Sequence, residues 1–154
     1  MDFTGKVVVI TGASSGIGEA LVYAFADRGA KVVMGARNSA KLAEIAAQLF
    51  TRGIESAFEA TDVTREEDCK RLINKALSAF GRIDILICNA GISMRALFDD
   101  VQLDVLRQLM DVNFWGTVYC AKYALPALQA AKGTLVGVSS VAGMHGLPGR
   151  TGYS

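Results

Sequence analysis

The sequence predicts an α/β fold, a doubly wound parallel sheet, and two patterns in its 154 residues carry that prediction. Short β-branched runs alternate with longer stretches whose apolar residues recur at helical spacing, and glycine-rich or polar segments follow the ends of the β-branched runs. Alternation of this kind joins parallel strands by right-handed helical crossovers, which cover both faces of an open sheet. Ligands of such sheets bind beyond the carboxyl ends of the strands.

Taken in order, Val7-Val8-Val9-Ile10 is apolar at every position, as a strand buried on both faces must be. Leu21, Val22, Phe25 and Ala26 then share one helix face, and Gly29 stands where a helix C-cap glycine belongs. The unit recurs with Val32-Val33-Met34 as strand, Leu42, Ile45, Ala46 and Leu49 as helix face, and Gly53 as the stop. A weaker strand, Ser56 to Ala60, precedes Thr64-Arg65-Glu66-Glu67, which reads as a capping box in which Thr64 and Glu67 satisfy each other's free amides. The helix it opens should run to about Phe80. Ile83 to Cys88 is a fourth buried strand, Val105 to Ala131 carries one or two helices, and Thr134 to Val138 is a fifth strand. No repeat, low-complexity tract or linker interrupts the alternation, so residues 1–154 read as one domain.

Composition narrows the function classes. Hydrophobic residues make up 51% and charged residues 20%, an ordinary balance for a globular domain, and the formal net charge of +1 gives no field to attract nucleic acid or an anionic membrane. Cys69, Cys88 and Cys120 form no C-x-x-C pair and have only His145 to complete a metal site, so they read as reduced thiols and no metal is expected. Apolar runs such as Val7 to Ile10 are far shorter than the ~20 residues of a spanning helix. The start, Met1-Asp2-Phe3-Thr4-Gly5-Lys6, lacks a signal-peptide core, which makes a cytoplasmic location the expectation.

The first strand opens directly into Thr11-Gly12-Ala13-Ser14-Ser15-Gly16-Ile17-Gly18 and then a helix. Glycine permits close backbone approach, and a helix start offers unpaired amides to a phosphate, so this placement points to a dinucleotide. The spacing is T-G-x-x-x-G-x-G, and it resembles that of the short-chain dehydrogenase/reductase family. The resemblance extends in order through Asp62, Asn89-Ala90-Gly91, Asn113, Ser139-Ser140 and Tyr153. It implies a Rossmann-type sheet in which Gly12, Ser14, Ser15, Gly16, Ile17 and Gly18 surround the pyrophosphate and adenosine of a nicotinamide cofactor. Asp62 and Val63 would contact the adenine, while Asn89, Ala90 and Gly91 would line the adenosine ribose and brace the sheet. Taken alone, Asp62 is also readable as the polar end of a strand, and Asn89-Ala90-Gly91 as an ordinary turn.

Proteins that prefer NAD usually place an acid at the end of the second strand, where it binds the ribose 2′-hydroxyl and repels a 2′-phosphate. Here that strand ends Met34-Gly35-Ala36-Arg37, with Ala36 in the acid's place. A guanidinium presents a planar fork of donors suited to phosphate oxygens, so Arg37 favours NADP(H) over NAD(H). The other reading of Arg37 is a solvated arginine at the start of a loop.

The resemblance also implies chemistry. Interconverting an alcohol and a carbonyl needs a hydride carrier, a proton donor and a group to hold the oxygen. In the family a tyrosine supplies the proton, a serine thirteen positions earlier holds the oxygen, and an asparagine on a long helix supports a water-linked proton path. Tyr153, Ser140 and Asn113 match those positions. Without the family, a Ser-Ser pair after a strand is most often a helix or turn cap. His145 reads as a loop or pocket-rim residue. Met144, Leu147 and Pro148, with Ile92 and Met94, suggest an apolar substrate wall or, equally, loop packing.

A phenol ordinarily titrates near 10, and in the family a lysine four residues after the tyrosine helps to lower it. The sequence stops at Ser154, inside that Tyr-x-x-x-Lys motif, so the fold is expected to be truncated at its C-terminal side relative to the family. The reading is thus an NADP(H)-dependent oxidoreductase for a small alcohol or carbonyl, homo-oligomeric in its complete form. The 154-residue chain alone is expected to be inactive, with Tyr153 poorly held. The rival is a nucleotide-binding module without catalysis.

Overall fold

The computed structural model describes residues 2–154. Along the chain it places β1 (Val7–Thr11), α1 (Gly16–Ala26), β2 (Lys31–Ala36), α2 (Ser39–Thr51), β3 (Ser56–Ala60), α3 (Glu66–Phe80), β4 (Ile85–Cys88), α4 (Leu103–Leu109), α5 (Gly116–Ala131) and β5 (Thr134–Gly137). The strands form one parallel sheet in the order β3-β2-β1-β4-β5. The chain winds outward from β1 to β3 and then returns to β4 on β1's other side. That reversal leaves a crevice above the carboxyl ends of β1 and β4, between connections that diverge to opposite faces.

Strand alternation divides the core into two layers. Val7, Val9, Val33 and Leu86 point to one face, where α3 and α5 supply Cys69, Leu72, Ile73, Cys120, Ala124 and Leu128. Val8, Ile10, Val32, Met34 and Ile87 point to the other, against Val22 of α1 and Leu42, Ile45 and Leu49 of α2. The side chains of β1 and of nearly all of β2 are covered on both faces, which is why these strands are apolar at nearly every position. The predicted doubly wound fold is the one observed.

Three local expectations change. Thr64 and Glu67 do not form a capping box: the Thr64 N–H and hydroxyl both donate to Asp62 Oδ1, at 3.0 and 2.8 Å, and α3 starts at Glu66 with no side-chain cap. Asp62, two residues away, is the nearer acceptor and closes a local turn before the helix begins. β4 starts at Ile85, not Ile83, because Asp84 turns inward to accept from Val7 N–H at 3.0 Å, Lys6 Nζ at 3.1 Å and Arg82 Nε at 2.8 Å. The stretch predicted as Val105 to Ala131 is one helical run from Leu103, interrupted by a π-helical turn at Met110–Trp115. A π-turn inserts a residue into the helical ladder and is often found at functional sites. All three cysteines are buried and free, and burial pushes the Cys88 thiol up to about 11.

Candidate active site and its relatives

The crevice is a cleft of about 640 Å³ at the carboxyl ends of the strands. Its lining comes from the loop after β1 (Gly12, Ser14, Ser15, Ile17), the end of β2 (Ala36, Arg37), the turn after β3 (Asp62, Val63) and the loop after β4 (Asn89, Ala90, Gly91). Gly16 and Gly18, the remaining predicted cofactor residues, form the backbone of the β1–α1 turn beside it. The turn can exist only with glycines. A Cβ at Gly18 would lie 2.1 Å from Gly12 O, and one at Gly12 would lie 2.9 Å from Ala90 Cα. Gly16 has a φ of +56° and nothing within 4 Å of where its Cβ would be. No side chain caps the start of α1, so its first-turn amides are left for a ligand.

Thr11 ties the β1 end to the β4 end. Its hydroxyl oxygen accepts from the N–H groups of Asn89 and Ala90, both at 3.0 Å, while Asn89 Nδ2 donates to Thr11 O at 3.0 Å. Asn89 therefore braces the sheet at its switch point as well as lining the cleft. In the sequence Thr11 is legible only as the first residue of the T-G-x-x-x-G-x-G motif, with no role of its own assigned.

Arg37 is exposed at the rim, and no described residue forms an ion pair with it. Ala36 beside it is buried and carries no charge. Asp62 is held at its Oδ1 by Thr64, and its backbone N–H donates to Asp68 Oδ2 at 3.1 Å. Burial pushes the Asp68 carboxyl up, but the Asp62 N–H and the Arg71 guanidinium outweigh that penalty and hold it below the usual carboxylate range. Asp68 carries no distinctive signal in the sequence, since an acid in the first turn of a helix has many commonplace explanations.

Of the predicted reaction residues, Ser140 and Tyr153 are not part of the cleft lining, whereas Asn113 adjoins it, its Oδ1 3.4 Å from where a Cβ on Gly91 would lie. Asn113 sits in the π-turn, where Oδ1 accepts from Ile92 N–H and Nδ2 donates to Ile92 O, each at 2.9 Å. Both ends of its amide thus hold the loop that follows Gly91. Ser140 follows β5 and caps a short turn, with Oγ accepting from Ala142 N–H at 3.2 Å. The cap reading of that serine is correct in this conformation. Tyr153 is half-buried; its N–H donates to Arg150 O at 2.8 Å, and the Arg150 guanidinium lies 5.9 Å from its ring centre. No hydrogen bond joins Ser140 to Tyr153 among the described residues.

The backbone of the segment that carries Tyr153 is docked on the rest of the chain. Gly152 packs so closely on α4 that a Cβ there would meet Leu106 Cδ2 at 2.2 Å. Ala96 N–H donates to Gly149 O at 2.9 Å, within an isolated parallel bridge between Ala96 and Arg150. His145, Met144 and Leu147 are exposed on the connecting loop.

The chain is 43% identical over 141 residues to an 11-beta-hydroxysteroid dehydrogenase A of Sesamum indicum, covering 90% of this chain and 40% of that protein. It is 41% identical over 155 residues to an 11-beta-hydroxysteroid dehydrogenase-like 2 of Arabidopsis thaliana, covering 98% and 50% respectively. The chain thus spans about half the length of the curated relatives it matches. Among solved structures, an alcohol dehydrogenase from the archaeon Thermococcus sibiricus, complexed with 5-hydroxy-NADP, superposes with a TM-score of 0.94 at 32% identity over 96% of this chain and 63% of its own. A short chain dehydrogenase/reductase from Burkholderia phymatum in complex with NAD gives 0.94 at 30% identity, over 99% and 55%. The family model described as short chain dehydrogenase matches residues 6–154. With that match spanning the sheet, the glycine turn and the π-turn alike, the chain belongs to the short-chain dehydrogenase family.

Proposed function

We propose that this chain is the cofactor-binding part of an NADP(H)-dependent oxidoreductase that interconverts an alcohol and a carbonyl. The observation that carries the cofactor preference is the rim of β2, where Arg37, without an ion-pair partner among the described residues, stands beside the uncharged, buried Ala36. A 2′-phosphate at this rim would meet a guanidinium and no carboxylate at the end of the strand. The remainder of the cleft suits a dinucleotide: uncapped amides at α1 for the pyrophosphate, open space at Gly16, and Asp62 and Val63 at the adenine end.

The bound nicotinamide would supply the hydride. The roles left to this chain are to bind, orient and move a proton. Asn89, Ala90 and Gly91 would form the ribose wall. Asn113 would hold the Ile92 loop against that wall, and its place in a proton path rests on the resemblance. Ser140 Oγ would hold the substrate oxygen once released from its contact with Ala142 N–H. The Tyr153 hydroxyl would pass a proton to or from that oxygen. The substrate class is a small secondary alcohol or ketone with an apolar body, for which Ile92, Met94, Met144 and Leu147 are the candidate contacts; the steroid dehydrogenase names of the relatives put steroids first among compounds to screen.

Fluorescence titration of the chain with NADPH and NADH tests the cofactor assignment. Tighter binding of NADPH is expected, and equal affinities would reduce Arg37 to a solvated surface charge. The rival reading, a nucleotide-binding module without catalysis, predicts the same binding but no turnover from any longer version of the protein.

A further inference from the structure

The Asp62–Val63 wall of the cleft is set from behind by residues that face away from any ligand. Asp68, on the first turn of α3, is only 7% exposed. Its Oδ2 accepts from the Asp62 N–H at 3.1 Å, while its Oδ1 lies 2.9 Å from Arg71 Nη2 and 3.5 Å from Arg65 Nε. Arg71 in turn faces Glu59 of β3 at 3.6 Å, so one network joins α3, β3 and the turn between them. Val63 is fixed as well: its carbonyl accepts from the Cys69 thiol at 3.5 Å, and its side chain packs on Gly116 where a Cβ would come within 2.8 Å.

Helix capping does not explain Asp68. An acid serving the start of α3 would take the amide of Arg65, but Arg65 N–H is already satisfied by Asp62 O at 3.0 Å. Asp68 reaches back three residues further, to Asp62 itself. A carboxylate removed from water to this extent is costly unless its bonds are well made, and an apolar residue would fill the space at less cost. What the carboxylate achieves is orientation. Thr64 occupies Asp62 Oδ1, and Asp68 fixes the Asp62 backbone, which leaves Asp62 Oδ2 without a partner among the described residues and held at the cleft wall.

We propose that Asp68 is a positioning residue for adenine recognition, holding Asp62 so that its free carboxylate oxygen accepts the 6-amino group of the purine. The proposal rests on the cofactor reading above. It predicts that Asp68 controls discrimination at the purine 6-position, which a residue that merely stabilises the fold would not do.

Calorimetric titration of the chain with NADPH and with its hypoxanthine analogue, which carries a carbonyl in place of the 6-amino group, tests this. The parent should prefer NADPH. Asp68→Ala should lower that preference by about tenfold, roughly the loss of one charge-assisted hydrogen bond, and Asp68→Asn, which keeps an acceptor for the Asp62 N–H, should restore most of it. Should Asp68→Ala fail to fold, Arg71→Gln carries the test, because Arg71 is half exposed and its loss frees Asp68 without emptying a core site. Its expected effect has the same direction and is smaller. Variants that fold and keep the parent's ratio, or weaken both nucleotides alike, overturn the positioning role while leaving the cofactor reading intact. A parent that binds neither nucleotide overturns that reading and this assignment with it.

Discussion

Ala36 and Arg37 differ from a typical NAD site by one missing carboxylate and one added guanidinium, and the prediction that follows is specific to those two side chains. Ala36→Asp with Arg37→Ala should invert the preference between NADPH and NADH, by about a hundredfold if each charge is worth about tenfold, as read by competitive fluorescence titration. Arg37 is exposed, so its removal should leave the melting temperature unchanged, whereas Ala36 belongs to the core layer against α1 and α2 and an aspartate there should lower it. Tyr153 bears the chemical prediction. In a version of the protein that continues through the family's lysine, Tyr153→Phe should reduce turnover by about 10²- to 10⁴-fold, with cofactor affinity unchanged, because the ring stays and only the transferable proton goes. Ser140→Ala should cost less. Full activity in the tyrosine variant, measured as NADPH oxidation, would remove Tyr153 from the mechanism.

At the scale of elements, Asp84 joins the starts of β1 and β4 at the end of the sheet opposite the cleft. Burial alone would raise its carboxyl, but Arg82, the Val7 N–H and Lys6 outweigh that and hold it below the usual range. A carboxylate whose folded value is depressed contributes stability above its unfolded value near 3.9 and loses it as pH falls through the folded value. Urea unfolding should therefore show stability dropping below about pH 4, and Asp84→Asn should flatten the drop while lowering stability at pH 7 by about 3 kcal/mol, since three donors lose their anion. An unchanged acid slope in Asp84→Asn would exclude it as the group responsible. Elements also show what the sequence could and could not declare. β1 and β2 were legible because both faces are covered and nearly every position is apolar. The start of β4 was not, because Ile83 is fully buried like a strand residue while Asp84 departs from the ladder to bond Val7. The capping box failed because a closer acceptor, Asp62, competes for Thr64. The lining of the cleft was largely readable from spacing, since much of it is built from consecutive loop residues at strand ends. The Asp68 support, the π-turn that carries Asn113 and the seat of Gly152 on Leu106 depend on contacts between segments far apart in the chain, and no local pattern announces them.

The molecule as a whole presents one side that its own residues leave uncovered. β5 is an edge strand, and all four of its residues are exposed, with Leu135 at 49% and Val136 at 37%. Its far ladder of N–H and C=O groups therefore faces no strand among the described residues, and the run Thr134-Leu-Val-Gly-Val-Ser-Ser140 contains neither charge nor proline to discourage pairing with another chain. On the neighbouring helical run, Met110, Phe114, Trp115 and Leu125 are each 44 to 52% exposed. With a formal net charge of +1, electrostatic repulsion between copies is slight. These features act together: an unpaired edge supplies directional hydrogen bonds, and the apolar surface beside it supplies the driving force. The 154-residue chain should accordingly self-associate, eluting and scattering light as a species larger than a monomer at micromolar concentration, with sulfate strengthening the association because it favours apolar burial. Val136→Lys should shift the species toward monomer by placing a charge on the edge strand, a change that leaves the cleft, formed by other strands' ends, intact. A parent chain that remains monomeric in sulfate, or a lysine variant that associates as strongly as the parent, would show that the β5 edge does not drive the contact.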